Sequence, residues 1–135
     1  MLPFIMAYGA EMIGDRGNSD GAMALLDRAT ELIHLTGEQW CEPEIVRLRA
    51  RFGSYSPEEK IKLLEIALRK AGEQGAKFWQ LRCATDLSRI WLDEGNRDEC
   101  LQVLTPVFDW FTEGFYTIDL LAARALLDRC NSCGN

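Results

Sequence analysis

One phrase of this chain is written twice. Leu25-Leu26-Asp27-Arg28-Ala29 returns as Leu63-Leu64-Glu65-Ile66-Ala67, 38 positions later (63 − 25 = 38). The same shift carries Gly37 onto Gly75 and Trp40 onto Phe78. Repeats built from pairs of helices recur at about 34 to 47 residues. A spacing in that range therefore reads as two helices and two turns per unit. Each such unit leaves an apolar face that only a neighbouring helix pair can cover.

The hydrophobic periodicity agrees. Leu25, Leu26, Ala29, Leu32 and Ile33 recur at i, i+3 and i+4, and so line one helix face. Ile61, Leu64, Ala67, Leu68 and Ala71 do the same, as do Leu81, Ala84, Leu87, Ser88 and Trp91. Further faces come from Leu101, Leu104, Val107, Phe108 and Phe111, then from Leu120, Ala123, Leu126 and Leu127. No stretch alternates with period two over a useful length, so no strand competes. Starts and stops can be read as well. Ser56-Pro57-Glu58-Glu59 is a capping box, with Ser56 as N-cap, Pro57 at N1 and Glu59 at N3. Asn96-Arg97-Asp98-Glu99 has the same form, and Thr117 ahead of Asp119 is a weaker cap. Pro43 fits only a first turn, so the helix carrying Trp40 begins close to it. Gly17, Gly53, Gly75 and Gly95 follow helical patterns where a left-handed residue is wanted. Helices are expected near 3–16, 20–35, 40–52, 57–74, 77–94, 97–112 and 118–130.

The predicted fold is all-α, a tetratricopeptide-like right-handed solenoid of about three antiparallel helix pairs plus a C-terminal capping helix around Ala122–Leu127. It is expected as a single domain over residues 1–135, with the first repeat cut short near Met1. Of the 135 residues, 47% are hydrophobic and 27% charged, the balance of a folded soluble chain rather than a disordered one. Trp79, Trp91, Phe108, Trp110, Phe111, Phe115 and Tyr116 crowd toward the C-terminal end, where packing should be tightest. Trp110 and Phe115 flank the turn Thr112-Glu113-Gly114, so one of them is a candidate exposed anchor.

Charge and cysteine usage narrow the function classes. Fifteen basic residues against 21 acidic give a net charge of −6, which argues against nucleic acid as the main partner. No basic signal-peptide start stands out, and no apolar run approaches the roughly 20 residues of a membrane span. The chain therefore reads as cytoplasmic. Cys41, Cys83 and Cys100 sit singly in helical patterns, as small core hydrophobes do. Cys130 and Cys133 form a C-x-x-C near the end of the chain. With His34 the only histidine and no second C-x-x-C, a four-ligand zinc site is not written here. The pair reads as an incidental tail feature, with redox or metal chemistry as the alternative.

Several phrases, taken in order, resemble the C-terminal tetratricopeptide region of bacterial multidomain signalling ATPases. They begin with Leu25-Leu26-Asp27, Gly37-Glu38-Gln39-Trp40 and Glu44-Ile45-Val46-Arg47-Leu48-Arg49. They continue with Leu81-Arg82-Cys83-Ala84-Thr85-Asp86-Leu87, Phe111-Thr112-Glu113-Gly114-Phe115 and Ala123-Arg124-Ala125-Leu126-Leu127. Such proteins join a nucleotide cyclase or DNA-binding domain to a P-loop ATPase and then to repeats of this kind. The resemblance, from about Gly17 to Arg129, implies a regulatory module that senses or recruits other proteins. No phosphate-binding G-x-x-x-x-G-K-[ST] motif and no cyclase-like segment occurs, so nothing catalytic carries over.

The residues themselves point the same way. A nucleophile–histidine arrangement would have to use His34, which lies late in a helix where a cation suits the helix dipole. Glu58/Glu59 and Asp98/Glu99 fall in first turns, where capping explains them better than acid–base chemistry does. The reading is thus of a non-enzyme without cofactor. In a tetratricopeptide stack the first helix of each pair lines the groove. Here those helices carry Arg47, Arg49 and Arg51, then Lys77, Arg82 and Arg89. Arginine's planar fork suits carboxylates. Arg47, Arg51, Arg82 and Arg89 are therefore groove candidates for an acidic peptide or an acidic protein surface. The alternative is local pairing with Glu44 or Asp86. An asparagine-based carboxylate clamp is disfavoured, because Asn18, Asn96, Asn131 and Asn135 fall in turns or the tail. A separate reading is self-association into a homo-oligomer, with Phe4, Ile5, Tyr8 and Met12 stacking on a second copy.

Overall fold

A computed structural model describes residues 1–132. These form seven α-helices, and no strand occurs among the described residues. In chain order the helices are α1 (Leu2–Asp15), α2 (Ser19–Thr36), α3 (Glu42–Phe52), α4 (Pro57–Gln74), α5 (Lys77–Asp93), α6 (Arg97–Asp109) and α7 (Ile118–Ser132). None of them is long and apolar enough to cross a membrane.

The written-twice phrase corresponds to two helices of one design. Both α2 and α4 have 18 residues. Their first residues, Ser19 and Pro57, and their last, Thr36 and Gln74, are each separated by 38 positions (57 − 19 and 74 − 36). Burial repeats with them. Leu25 is half-buried, Leu26 buried, Asp27 and Arg28 exposed, and Ala29 buried; Leu63 through Ala67 follow the same order. Gly37 and Gly75, which follow the two helices, both adopt positive φ, 74° and 69°. The echo stops there. The next helices, α3 and α5, have 11 and 17 residues, because Pro43 in the first turn and Gly53 at the end bracket α3 closely.

The start signals differ in how they work. At Ser56 both halves of the capping box form: Glu59 N–H donates to Ser56 Oγ at 3.2 Å, and Ser56 N–H donates to a Glu59 carboxylate oxygen at 3.4 Å. Asn96 occupies the N-cap of α6 but its side chain makes no capping hydrogen bond, so the expected second box is absent there. Thr117 Oγ1 accepts from Leu120 N–H at 3.4 Å, a weak cap as expected. Asn18, which sequence reading placed only in a turn, caps α2 by accepting from Gly21 N–H at 2.9 Å. Gly53 also departs from expectation. Its backbone is extended (φ −77°, ψ 156°), not left-handed. Glycine is required there by space: a Cβ would lie 2.2 Å from the Tyr55 ring and 2.8 Å from the Arg49 carbonyl. Trp40 lies ahead of α3 rather than in it, and α6 ends at Asp109, three residues past Pro106, which supplies no donor to the helix ladder.

The helices gather into two compact units, Met1–Lys70 and Ala71–Asn135. In the first, α1, α2 and α3 pack against one another. Its buried positions are rich in alanine: Ala7 and Ala10 of α1, Ala22 and Ala29 of α2, and Ala50 of α3. Leu26, Ile33, Ile45 and Leu48 supply the larger side chains. In the second unit α5, α6 and α7 pack mutually around Leu81, Leu87, Leu104, Phe108, Leu120, Leu126 and Leu127. Each fully buried leucine contributes about 1.5–3 kcal/mol from burial. The aromatic cluster near the C-terminal end divides. Phe108 and Phe111 are buried and Trp79 and Trp91 half-buried, whereas Trp110, Phe115 and Tyr116 are exposed, Tyr116 at 95%. Tyr116 thus stands outside the tight packing expected of this cluster. It lies in the turn between α6 and α7, where no helix face carries it inward.

Candidate interaction surfaces

The groove candidates of the first unit stand on α3. Its sequence places Glu42 and Glu44 in the first turn and Arg49 and Arg51 in the last, which is the order the helix dipole favours. Arg47 is 4% exposed, and so is Glu44 three residues before it. The Arg47 guanidinium donates to both Glu44 carboxylate oxygens, through Nε at 3.1 Å and Nη2 at 2.5 Å. It also reaches Glu11 of α1 at 2.8 Å. Arg51 continues the line, with Asp15 at 2.6 Å and Glu11 at 3.5 Å. Arg49 turns to α2, donating to Asp27 at 2.6 Å and to the Thr30 hydroxyl at 3.2 Å. The three arginines therefore bind α3 to its two neighbours. At the other end of α3, Lys70 of α4 reaches Glu42 at 3.1 Å.

The candidates of the second unit are paired too. Arg82 Nε donates to both oxygens of Asp119 at 3.1 Å, joining α5 to the first turn of α7. Arg89, half-exposed, pairs with Asp86 one turn earlier on α5 at 3.3 Å. Lys77 Nζ lies over the Trp110 ring, 5.1 Å from its centroid. All four groove candidates, Arg47, Arg51, Arg82 and Arg89, thus face carboxylates of their own unit, and Glu44 and Asp86 are among the partners. Sequence spacing could show the pairs on one helix, but not Glu11, Asp15 or Asp119, which lie 36 or 37 residues away from their arginines.

The self-association candidates come out unequal. Ile5, Tyr8 and Met12 are exposed by 54%, 61% and 44%, and Leu2 joins them. Their spacing puts all four on the outward face of α1, opposite buried Pro3, Ala7, Ala10 and Gly14. Phe4 instead leans inward, half-buried, with its ring centroid 5.4 Å from that of Trp40. A second apolar patch surrounds the α6–α7 turn, where Trp110, Phe115, Ile118 and Leu121 are exposed. There the Phe115 ring lies tilted against Phe108 at 5.9 Å, and Trp110 meets Phe111 edge-on at 5.2 Å.

Four cysteines can be placed, and all are buried. Burial pushes the Cys41 thiol up from its ordinary range, which suits an unreactive packing role. Cys130, read with Cys133 as an incidental tail feature, takes a place in the core. It is fully buried in the last turn of α7, with its Sγ 2.9 Å from that of Cys100 in α6. Cys133, its C-x-x-C companion, lies outside the described residues. Among the described residues no group of three or more His, Cys, Asp and Glu side chains is placed to hold a metal ion. His34 is exposed in the last turn of α2. Comparison with known protein families, with curated proteins and with solved structures finds no match.

Proposed function

We propose that this chain is a non-catalytic protein-interaction module that contacts its partner through the outward face of α1. The observation that carries this reading is the stripe Leu2, Ile5, Tyr8 and Met12, four large apolar side chains exposed side by side on one helix. Single exposed apolar residues are ordinary, but a contiguous stripe marks a contact surface. The arginines serve the fold through internal ion pairs, which leaves the apolar stripe as the more available face. The resemblance of the sequence phrases to the C-terminal repeats of bacterial signalling ATPases fits a regulatory role of this kind. Self-association is the second reading. It is favoured by the absence of charge from the stripe, so two copies can meet face to face without like-charge repulsion.

A photo-crosslinking residue in place of Tyr8 tests the proposal. The expected result is a discrete adduct that Ile5→Glu abolishes while helical circular dichroism is kept. The same probe at exposed Glu58 of α4 should not give it. Equal labelling at both positions, or none at Tyr8, removes the reading. An adduct of two copies selects self-association over a different partner.

A further inference from the structure

We propose that Cys100 and Cys130 are a redox-linked pair, which a peroxide joins into a reversible disulfide tying α6 to α7. The two thiols lie 30 positions apart in the chain, in different helices, and both are fully buried. Packing alone accounts for buried cysteines, since the thiol behaves as a small hydrophobe. It does not account for two sulfurs set against each other. Their separation of 2.9 Å is already below that of an ordinary sulfur contact. A disulfide bond measures about 2.0 Å, so closure asks for a displacement of about 0.9 Å.

The backbone at each cysteine is pinned by a different neighbour. Arg97 Nε, from the first turn of α6, donates to the Cys130 carbonyl in α7. Ser88 Oγ of α5 lies 3.5 Å from the Cys100 carbonyl, which it can donate to. These contacts hold the two helices in the register that keeps the thiols facing. Access comes from the end of α7. Asn131 and Ser132, directly after Cys130, are exposed, and opening this last turn breaks the Arg97 hydrogen bond to the Cys130 carbonyl. Cys130 is thus the thiol that meets solvent first, and Cys100 the one that waits behind it.

The chemistry follows this order. The Cys130 thiolate attacks one peroxide oxygen, the O–O bond breaks, and the departing hydroxide takes a proton to become water. Cys130 is left as a sulfenic acid. When the turn closes, Cys100 gives up its proton and its sulfur attacks the Cys130 sulfur. The S–S bond forms, the S–O bond breaks, and a second water leaves. Two thiols have lost two electrons and two protons, and one peroxide has become two waters. A dithiol reductant reverses the link by thiol–disulfide exchange. The closed loop spans residues 100–130 and contains the whole exposed aromatic turn between α6 and α7.

The experiment uses the full chain carrying Cys133→Ser, so that the last tryptic peptide holds a single cysteine. After treatment with hydrogen peroxide, remaining thiols are alkylated and the peptides identified by mass. The expected product joins peptide 98–124 to peptide 130–135, with two of the four remaining thiols lost and both regained on reduction. Adding Cys130→Ser should abolish that product. In the unsubstituted chain the thiol count should fall from five to three, by the same link. The proposal is overturned if peptide 130–135 is found joined to the Cys83 peptide. It is also overturned if the thiols remain reduced, or if they oxidise to sulfinic acid without a link.

Discussion

In the first unit α1, α2 and α3 pack with five buried alanines beside four larger aliphatic side chains, and in the second α5, α6 and α7 pack chiefly with leucines and phenylalanines. Alanines let helices approach closely, but they interdigitate little and so do little to fix one helix against another. That unit is also where arginines bridge helices: Arg47 and Arg51 to α1, and Arg49 to α2. In the second unit the bulky side chains of α5, α6 and α7 interlock by shape, and the ion pairs that join its helices include Arg82 with Asp119 at 3.1 Å and Arg129 with Asp93 at 3.8 Å. The contrast teaches that relative helix position is set by directional charge where the core is small, and by side-chain shape where it is large.

Arg47 offers the largest test. Arg47→Met takes the guanidinium away from the buried Glu44 carboxylate, and removing one partner of a buried pair costs about 3–5 kcal/mol. Replacing both, with Glu44→Leu beside Arg47→Met, should recover most of that loss in chemical denaturation. A double variant as unstable as the single one would break the comparison, because it would make Arg47 a packing residue only.

The cores themselves come next. Leu104→Ala should cost about 2–5 kcal/mol by leaving a cavity. Ala10→Leu, in the alanine-rich unit, should cost about 1–3 kcal/mol by overpacking that unit's core. Denaturant midpoints of the two variants sharpen the contrast, and a harmless Ala10→Leu would show that the first unit is loosely packed. Smaller effects separate the caps. Ser56→Ala should lower stability by about 1 kcal/mol, since it removes a formed capping bond. Asn96→Ala should cost much less, because its side chain makes no such bond. The smallest change is Arg89→Ala. This half-exposed pair within one helix is worth no more than about 0.5 kcal/mol, measurable as a near-zero shift in thermal midpoint.

Most helix boundaries were legible because they are local. The capping box at Ser56, the spacing of Leu25 to Ile33 and the glycines after α2 and α4 act within a few residues of one another. Asn96 and Gly53 show the limit of that logic. Asn96 has a capping residue's identity without its hydrogen bond, and Gly53 answers to the Tyr55 ring rather than to a left-handed turn. The arginines were visible as a set, and pairing with Glu44 and Asp86 was one of two readings open for them. Which reading holds depends on Glu11, Asp15 and Asp119, residues brought close only by tertiary packing. The Cys100–Cys130 contact was invisible for the same reason. The nearer Cys133 drew attention to the chain terminus, while the facing sulfur sat one helix away.

The buried Glu44–Arg47 pair also constrains how such a chain can drift. Substitutions arrive one at a time: losing Arg47 alone removes the guanidinium that both Glu44 oxygens face in the core, whereas losing Glu44 alone leaves Arg47 with Glu11. Lineages descending from this sequence should therefore lose Glu44 before Arg47 or together with it. Chains that keep Glu44 without Arg47 should be rare, and where they occur a nearby change should supply the missing charge.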